Sequence, residues 1–159
     1  MEDDHLLKRA KQRALRLLSL RARSKMELRA KLKERGFDDH VIDSVTVYLL
    51  ERKYLDDNSF ATNWARSLAV NRLLGNLRIE MSLRKKGISG ESIGEAIDAA
   101  REEISEREAI GRLIDKRAKG RMIADLNDKE IRRLRQNLLM RGFPAGMFFE
   151  MLEREGKEY

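Results

Sequence analysis

Three stretches decide the fold: Leu28-Arg29-Ala30-Lys31-Leu32-Lys33-Glu34-Arg35-Gly36-Phe37, Ile79-Glu80-Met81-Ser82-Leu83-Arg84-Lys85-Lys86-Gly87-Ile88 and Leu134-Arg135-Gln136-Asn137-Leu138-Leu139-Met140-Arg141-Gly142-Phe143. Each sets apolar residues eight and four positions before a glycine, a cation just before it and an apolar residue just after it. A glycine that follows a helix can take the left-handed conformation that ends it. In the Schellman form of that ending, the residue four before the glycine and the residue after it come together. The spacing therefore predicts the pairs Leu32 with Phe37, Leu83 with Ile88, and Leu138 with Phe143. These residues and Gly36, Gly87 and Gly142 form a structural joint between two helices.

Working outward, a new helix begins directly after each joint. Asp38 and Ser89 are suitable N-caps, and Pro144 stands at the equivalent place in the third stretch. Phe37 with Ile42, Ile88 with Ile93, and Phe143 with Phe148 have the spacing of hydrophobic staples. Helical periodicity continues through Ile42, Val45 and Leu49, through Ile93, Ala96, Ile97 and Ala100, and through Phe148, Met151 and Leu152. A further helix precedes each pair, with stripes Ala10, Ala14, Leu17, Leu18; Phe60, Ala61, Trp64, Ala65, Leu68; and Ala109, Ile110, Leu113, Ile114. Trp64 belongs to such a stripe and reads as core. Ser24 to Glu27 reads as a capping box, and Asp56 and Asp57 as caps of the helix carrying Phe60. The expectation is an all-α protein of nine helices in three tandem three-helix repeats, 1–54, 55–104 and 105–159, forming an elongated, curved array. Linkers are expected at Lys53–Asp57 and Gly120–Asp128, the second looser.

Composition agrees. Of 159 residues, 38% are charged, 6% are aromatic and one is proline, a balance that favours helices over strands. With no cysteine, disulfides and thiolate metal sites are excluded. No apolar run approaches a membrane span, and the acidic Met1-Glu2-Asp3-Asp4 start lacks a secretory n-region, so a cytoplasmic protein with no membrane partner is expected. The net charge of +7 is uneven: Lys8 to Arg35 carries +10, residues 55–104 are near neutral, and Arg112 to Arg141 carries +6. Such fields attract nucleic acid or acidic protein surfaces.

Catalysis has little support. His5, in an end expected to fray, and His40, in a helical first turn, lack nucleophile or metal-ligand partners at useful spacing. No metal, cofactor or catalytic residue is expected. The candidates for binding are cations on faces that the core does not need. They are Arg29 and Lys33, Arg78, Arg84 and Lys85, and Arg132 and Arg135, together with Arg35, Lys86 and Arg141 at the joints, where the helix dipole alone suffices to explain a cation. Like charges three or four apart on a helix repel, a cost that an anionic partner offsets.

Two segments are similar to a known family. Tyr54-Leu55-Asp56-Asp57-Asn58-Ser59-Phe60-Ala61 with Trp64, and Gly75-Asn76-Leu77-Arg78-Ile79 with Leu83 and Lys86-Gly87-Ile88, resemble signatures of RecX, the regulatory proteins of the RecA recombinase. Arg23-Ser24-Lys25-Met26-Glu27-Leu28-Arg29 resembles the family's first repeat. Lys53 stands where a glycine is usual, which suggests a different helix ending, and Ser82 where an acid is usual. The resemblance implies a non-enzymatic regulator that binds RecA and its filament on single-stranded DNA. It would inhibit recombinase and ATPase activity and so modulate recombination, DNA repair and the SOS response. A monomer is expected. An alternative is a helix-turn-helix-like protein that binds single- or double-stranded DNA weakly through phosphate contacts.

Overall fold

The computed structural model describes residues 1–154; the end of the third expected repeat, 155–159, lies outside the described residues. Among the described residues there are nine α-helices and no strand. They are α1 (Glu2–Leu20), α2 (Lys25–Glu34), α3 (Asp39–Glu51), α4 (Asp57–Arg66), α5 (Asn76–Lys85), α6 (Gly90–Glu103), α7 (Glu106–Ala118), α8 (Asp128–Met140) and α9 (Ala145–Arg154). A π-helical turn, Ser67–Asn71, extends α4, and a 3₁₀ turn, Ile123–Asp125, lies between α7 and α8. His5 is inside the first turns of α1 rather than in a frayed end.

All three joints have the predicted geometry. Gly36, Gly87 and Gly142 have φ of +83°, +77° and +86°. The amide after each glycine donates to the carbonyl five residues back: Phe37 to Leu32 at 3.3 Å, Ile88 to Leu83 at 3.2 Å, Phe143 to Leu138 at 3.1 Å. The glycine amides close the inner bonds to Lys33, Arg84 and Leu139 at 2.9–3.0 Å. These are the two bonds of a Schellman ending, and they satisfy carbonyls that a helix end would otherwise leave without partners.

A fourth joint follows α3 and corrects the expectation of a different ending at Lys53. Lys53 itself takes φ +58°, and Tyr54 donates to the carbonyl of Leu49 at 2.9 Å. The motif is the same, built on a residue for which the left-handed region costs about 1–2 kcal/mol. Burial of Leu49 and Leu55 around the turn offsets that cost.

The described chain divides into two compact units. The first comprises Met1–Ala61 with Leu83–Ile93. Its helices α1, α2 and α3 pack on one another around Ala10, Ala14, Leu17, Leu28, Leu32, Val41, Ile42, Val45, Leu49 and Leu55. Ser24 caps α2, its hydroxyl accepting from the Glu27 amide at 3.2 Å. The reciprocal half of the expected capping box is absent, because the Glu27 carboxylate turns to Arg21 and Lys86 instead. Asp38 holds the N-cap position of α3 without a side-chain capping bond. Asp56 caps α4 through the Ser59 amide at 3.1 Å, whereas Asp57 accepts from the Lys25 amide at 2.8 Å and so caps α2.

The second unit comprises Thr62–Ser82 and the described residues from Gly94. Here α8 packs on α7 and α9, with Ile110, Leu134, Leu138, Phe143, Phe148 and Leu152 fully buried. Complete capping boxes, Ser105 with Glu108 and Asn127 with Glu130, start α7 and α8. The linker ahead of α8 buries Ile123 and Leu126. Gly75 and Gly142 meet backbone to backbone: a Cβ on Gly75 would lie 2.3 Å from the Gly142 carbonyl, and one on Gly142 would lie 2.4 Å from the Arg78 nitrogen. The Gly75 amide donates to the Arg141 carbonyl at 2.8 Å. The start of α5 thereby uses carbonyls at the end of α8.

A substitution series separates these effects. Lys53→Gly should stabilise the chain by about 0.5–1 kcal/mol, since strain is relieved against a small entropic loss. Gly36→Ala, whose Cβ would meet nothing within 4 Å, should cost about 1 kcal/mol from the left-handed φ alone. Gly142→Ala should cost about 3 kcal/mol or more, because overlap with Arg78 adds to the same φ. Urea denaturation of the three variants measures the order.

Candidate functional site

The three joint cations occupy equivalent sequence positions and have three different environments. Lys86 is drawn in: its Nζ lies 2.8 Å from Glu27 Oε1, with four-fifths of the side chain covered, and 5.9 Å from the centre of the Phe60 ring. Glu27 also takes Arg21 at 2.5 Å. Burial pushes the Glu27 carboxyl up, but hydrogen bonds and charge from Lys86 and Arg21 outweigh it, so the group is held below its ordinary value. Arg141 is spent on backbone. Its Nη1 donates to the carbonyls of Arg72 at 2.6 Å and Leu73 at 3.4 Å, and its Nε to Asn137 Oδ1 at 3.1 Å. The π turn and the left-handed Leu73 (φ +52°) leave these carbonyls outside the helical ladder. Arg101, half-buried and lowered in pKa by that burial, takes the next carbonyl, Leu74, at 2.8 Å, and Asn76 Oδ1 at 2.7 Å.

Arg35 remains exposed. It faces α1, where with Phe37 it lines a cleft of about 450 Å³ together with Arg9, Gln12, Arg13 and Arg16. Arg9, Arg13 and Arg16 are not among the candidates from sequence. Their spacing along one face of a helix, a cation stripe beside the apolar Ala10–Ala14–Leu17 stripe, is the signal that could have found them.

The remaining cations divide by partner. Arg29 pairs with Asp43 at 2.7 Å and reaches Thr46 at 3.4 Å. Lys33 is an exposed cation 3.2 Å from Asp39. Arg135 lies over the Phe149 ring at 4.9 Å. Arg78, Arg84, Lys85 and Arg132 are exposed, Arg84 having an interaction of its own within the chain. The cations of α2 are thus close together in the first unit, and Arg132 and Arg135 lie on α8 of the second. Trp64 is half-buried rather than fully in the core, and its indole N–H donates to Ser82 Oγ at 2.9 Å. His5 and His40 are exposed, and among the described residues no three His, Cys, Asp or Glu converge on a metal-sized site. No helix among them is long and apolar enough to cross a membrane.

The fold and its surfaces define a class first: an all-helical protein with three-helix domains, whose polar work is concentrated in cations on helix faces. The comparisons make the class specific. Residues 10–49 match the first three-helix domain of RecX, and residues 56–97 match the second. A regulatory protein RecX of Mycolicibacterium vanbaalenii is 33% identical, across 97% of this chain and 88% of its own. That of Mycolicibacterium smegmatis is 35% identical across 92% and 79%. The crystal structure of RecX from Lactobacillus salivarius shares the fold, with a TM-score of 0.80 at 21% identity over 95% of this chain and 97% of that one. The chain belongs to the RecX family of regulatory proteins.

Removing the Glu27 charge tests the central pairing of the first unit. Glu27→Gln should cost about 1–2 kcal/mol at neutral pH, because it strips two cations of a partly buried partner. The carboxyl is depressed in the folded state, so its contribution is present above about pH 4.3 and is lost as pH falls through the lower folded value. Denaturation of both proteins at pH 7 and pH 3 should show a clear gap at the first pH and a smaller one at the second.

Proposed function

We propose that this chain binds the RecA recombinase, above all its filament on single-stranded DNA, and restrains recombinase and ATPase activity. In that reading it modulates recombination and DNA repair from the cytoplasm, as a monomer and without catalysis of its own. The observation that carries the reading is membership of the RecX family across nearly the whole chain. The placement of charge supports it, since Lys33 on α2 and Arg132 and Arg135 on α8 are exposed. We also propose that the three joints mark three successive three-helix repeats, 1–54, 55–104 and 105–159, with the basic first and third facing the partner.

The second reading, direct phosphate binding, draws support from the basic cleft of the first unit, whose lining includes no carboxylate. Against a base-reading role, the glycine turns that suggest helix-turn-helix geometry serve as joints between helices.

Titration of the chain into a RecA ATPase assay on single-stranded DNA should lower the rate at substoichiometric to stoichiometric amounts. An unchanged rate over that range would sink the reading. Arg132→Ala/Arg135→Ala should raise the half-inhibitory concentration by about tenfold, equivalent to ~1.4 kcal/mol. Arg29→Ala/Lys33→Ala should have a smaller effect, because both residues already have acidic partners.

A further inference from the structure

The cleft between α1 and the first joint has the properties of an anion site. Four arginines, Arg9, Arg13, Arg16 and Arg35, line it with Gln12 and Phe37, and no acidic residue does. Among the described residues none of the four makes a hydrogen bond or salt bridge through its guanidinium. The nearest acid in sequence, Glu34, is hydrogen-bonded to Lys31 at 2.8 Å and meets Arg35 through charge alone. Arg13 goes further: its Nε is buried without any hydrogen-bond partner. A buried donor left unpaired is costly, and like charges at these helical spacings repel. Snorkelling of arginine stems over the α1 core explains one or two such residues, but not four around one cleft that no acidic residue lines.

The geometry narrows the ligand. A guanidinium fork matches the oxygens of a phosphate in a bidentate manner. Arg9 and Arg16 are two turns apart, roughly 10 Å along the axis, farther than a single oxyanion reaches. The ligand is therefore an extended series of anions. Phe37 is half-buried, unlike Ile88 and Phe143 at the other joints, and it brings a ring to the cleft wall. An aromatic residue beside a basic groove suits bases and backbone together.

We propose that this cleft binds the sugar–phosphate backbone of a single-stranded nucleic acid. Arg9, Arg13, Arg16 and Arg35 hold successive phosphates, and Phe37 offers a stacking face to a base. The assignment rests on the direct-binding reading and is independent of recombinase binding.

The test uses the full chain without recombinase and a short fluorescein-labelled polythymidine, followed by anisotropy across a salt series. The unmodified chain should bind with a steep loss on adding salt. Arg9→Gln/Arg13→Gln/Arg16→Gln, checked for folding by circular dichroism, should bind at least about tenfold more weakly, and its salt slope should fall by about 2, from ~0.7 per phosphate contact. Lys129→Gln/Arg133→Gln in α8 should match the unmodified chain. Unchanged affinity and slope in the folded triple variant would overturn the site while leaving direct binding intact. No binding by the unmodified chain would overturn both. Displacement of polythymidine by polyglutamate as readily as by polyphosphate would overturn the nucleic-acid assignment in favour of an acidic protein. Should the triple variant not fold, the Nε–Hε resonance of Arg13 in the unmodified chain decides: it should shift on adding polythymidine, and an unmoved resonance overturns the site.

Discussion

The left-handed residue that closes a helix and opens the next is the constraint on which the rest of this structure depends. At Gly36, Gly87 and Gly142 it reverses the backbone within a few residues, and paired amide bonds to the preceding helix replace the helical ladder where it stops. The turn is short, so the following helix has little freedom in its starting direction. The direction of α3, α6 and α9, and so the faces that each pair presents, follows from this local geometry. Leu32, Leu83 and Leu138, which supply the accepting carbonyls, are also fully buried side chains. Joint and core are therefore one construction.

Much of what makes the chain resemble RecX supports this construction rather than chemistry. Gly75 is small because a Cβ there would overlap the Gly142 backbone. Asp57 caps a helix other than its own. Ser82 supplies an acceptor for the Trp64 indole. Lys86 neutralises Glu27, and Arg141 satisfies backbone carbonyls that the π turn leaves out. These residues orient helices and satisfy backbone groups.

The joints were legible from sequence because their causes are local: a glycine, a leucine four residues earlier and an apolar residue after it suffice. The apolar stripes were legible for the same reason. What failed depended on tertiary neighbours. Lys53 breaks the glycine rule yet keeps the glycine conformation, because the buried residues around it over-determine the turn. Glu27 gave up half of a capping box to two cations, one of them 59 residues away in the chain. Asp57 stands at the start of α4 in the sequence but caps α2, which only the fold brings beside it. Arg9, Arg13 and Arg16 were hidden in a long basic run. Only the fold brings Arg35 and Phe37 opposite them, and only that meeting distinguishes a cleft from a solvated helix face.

Native-state amide exchange at Phe37, Ile88 and Phe143 tests the role of the joints most directly, since these three amides close the outer bond of each. If the joints hold the fold, the three protons exchange only through cooperative opening, with protection close to that of core amides such as Leu32 and Leu138. Exchange at the rates of an unprotected loop, while the flanking helices stay protected, would show that the helices are held by packing alone and that the joints are passive connections.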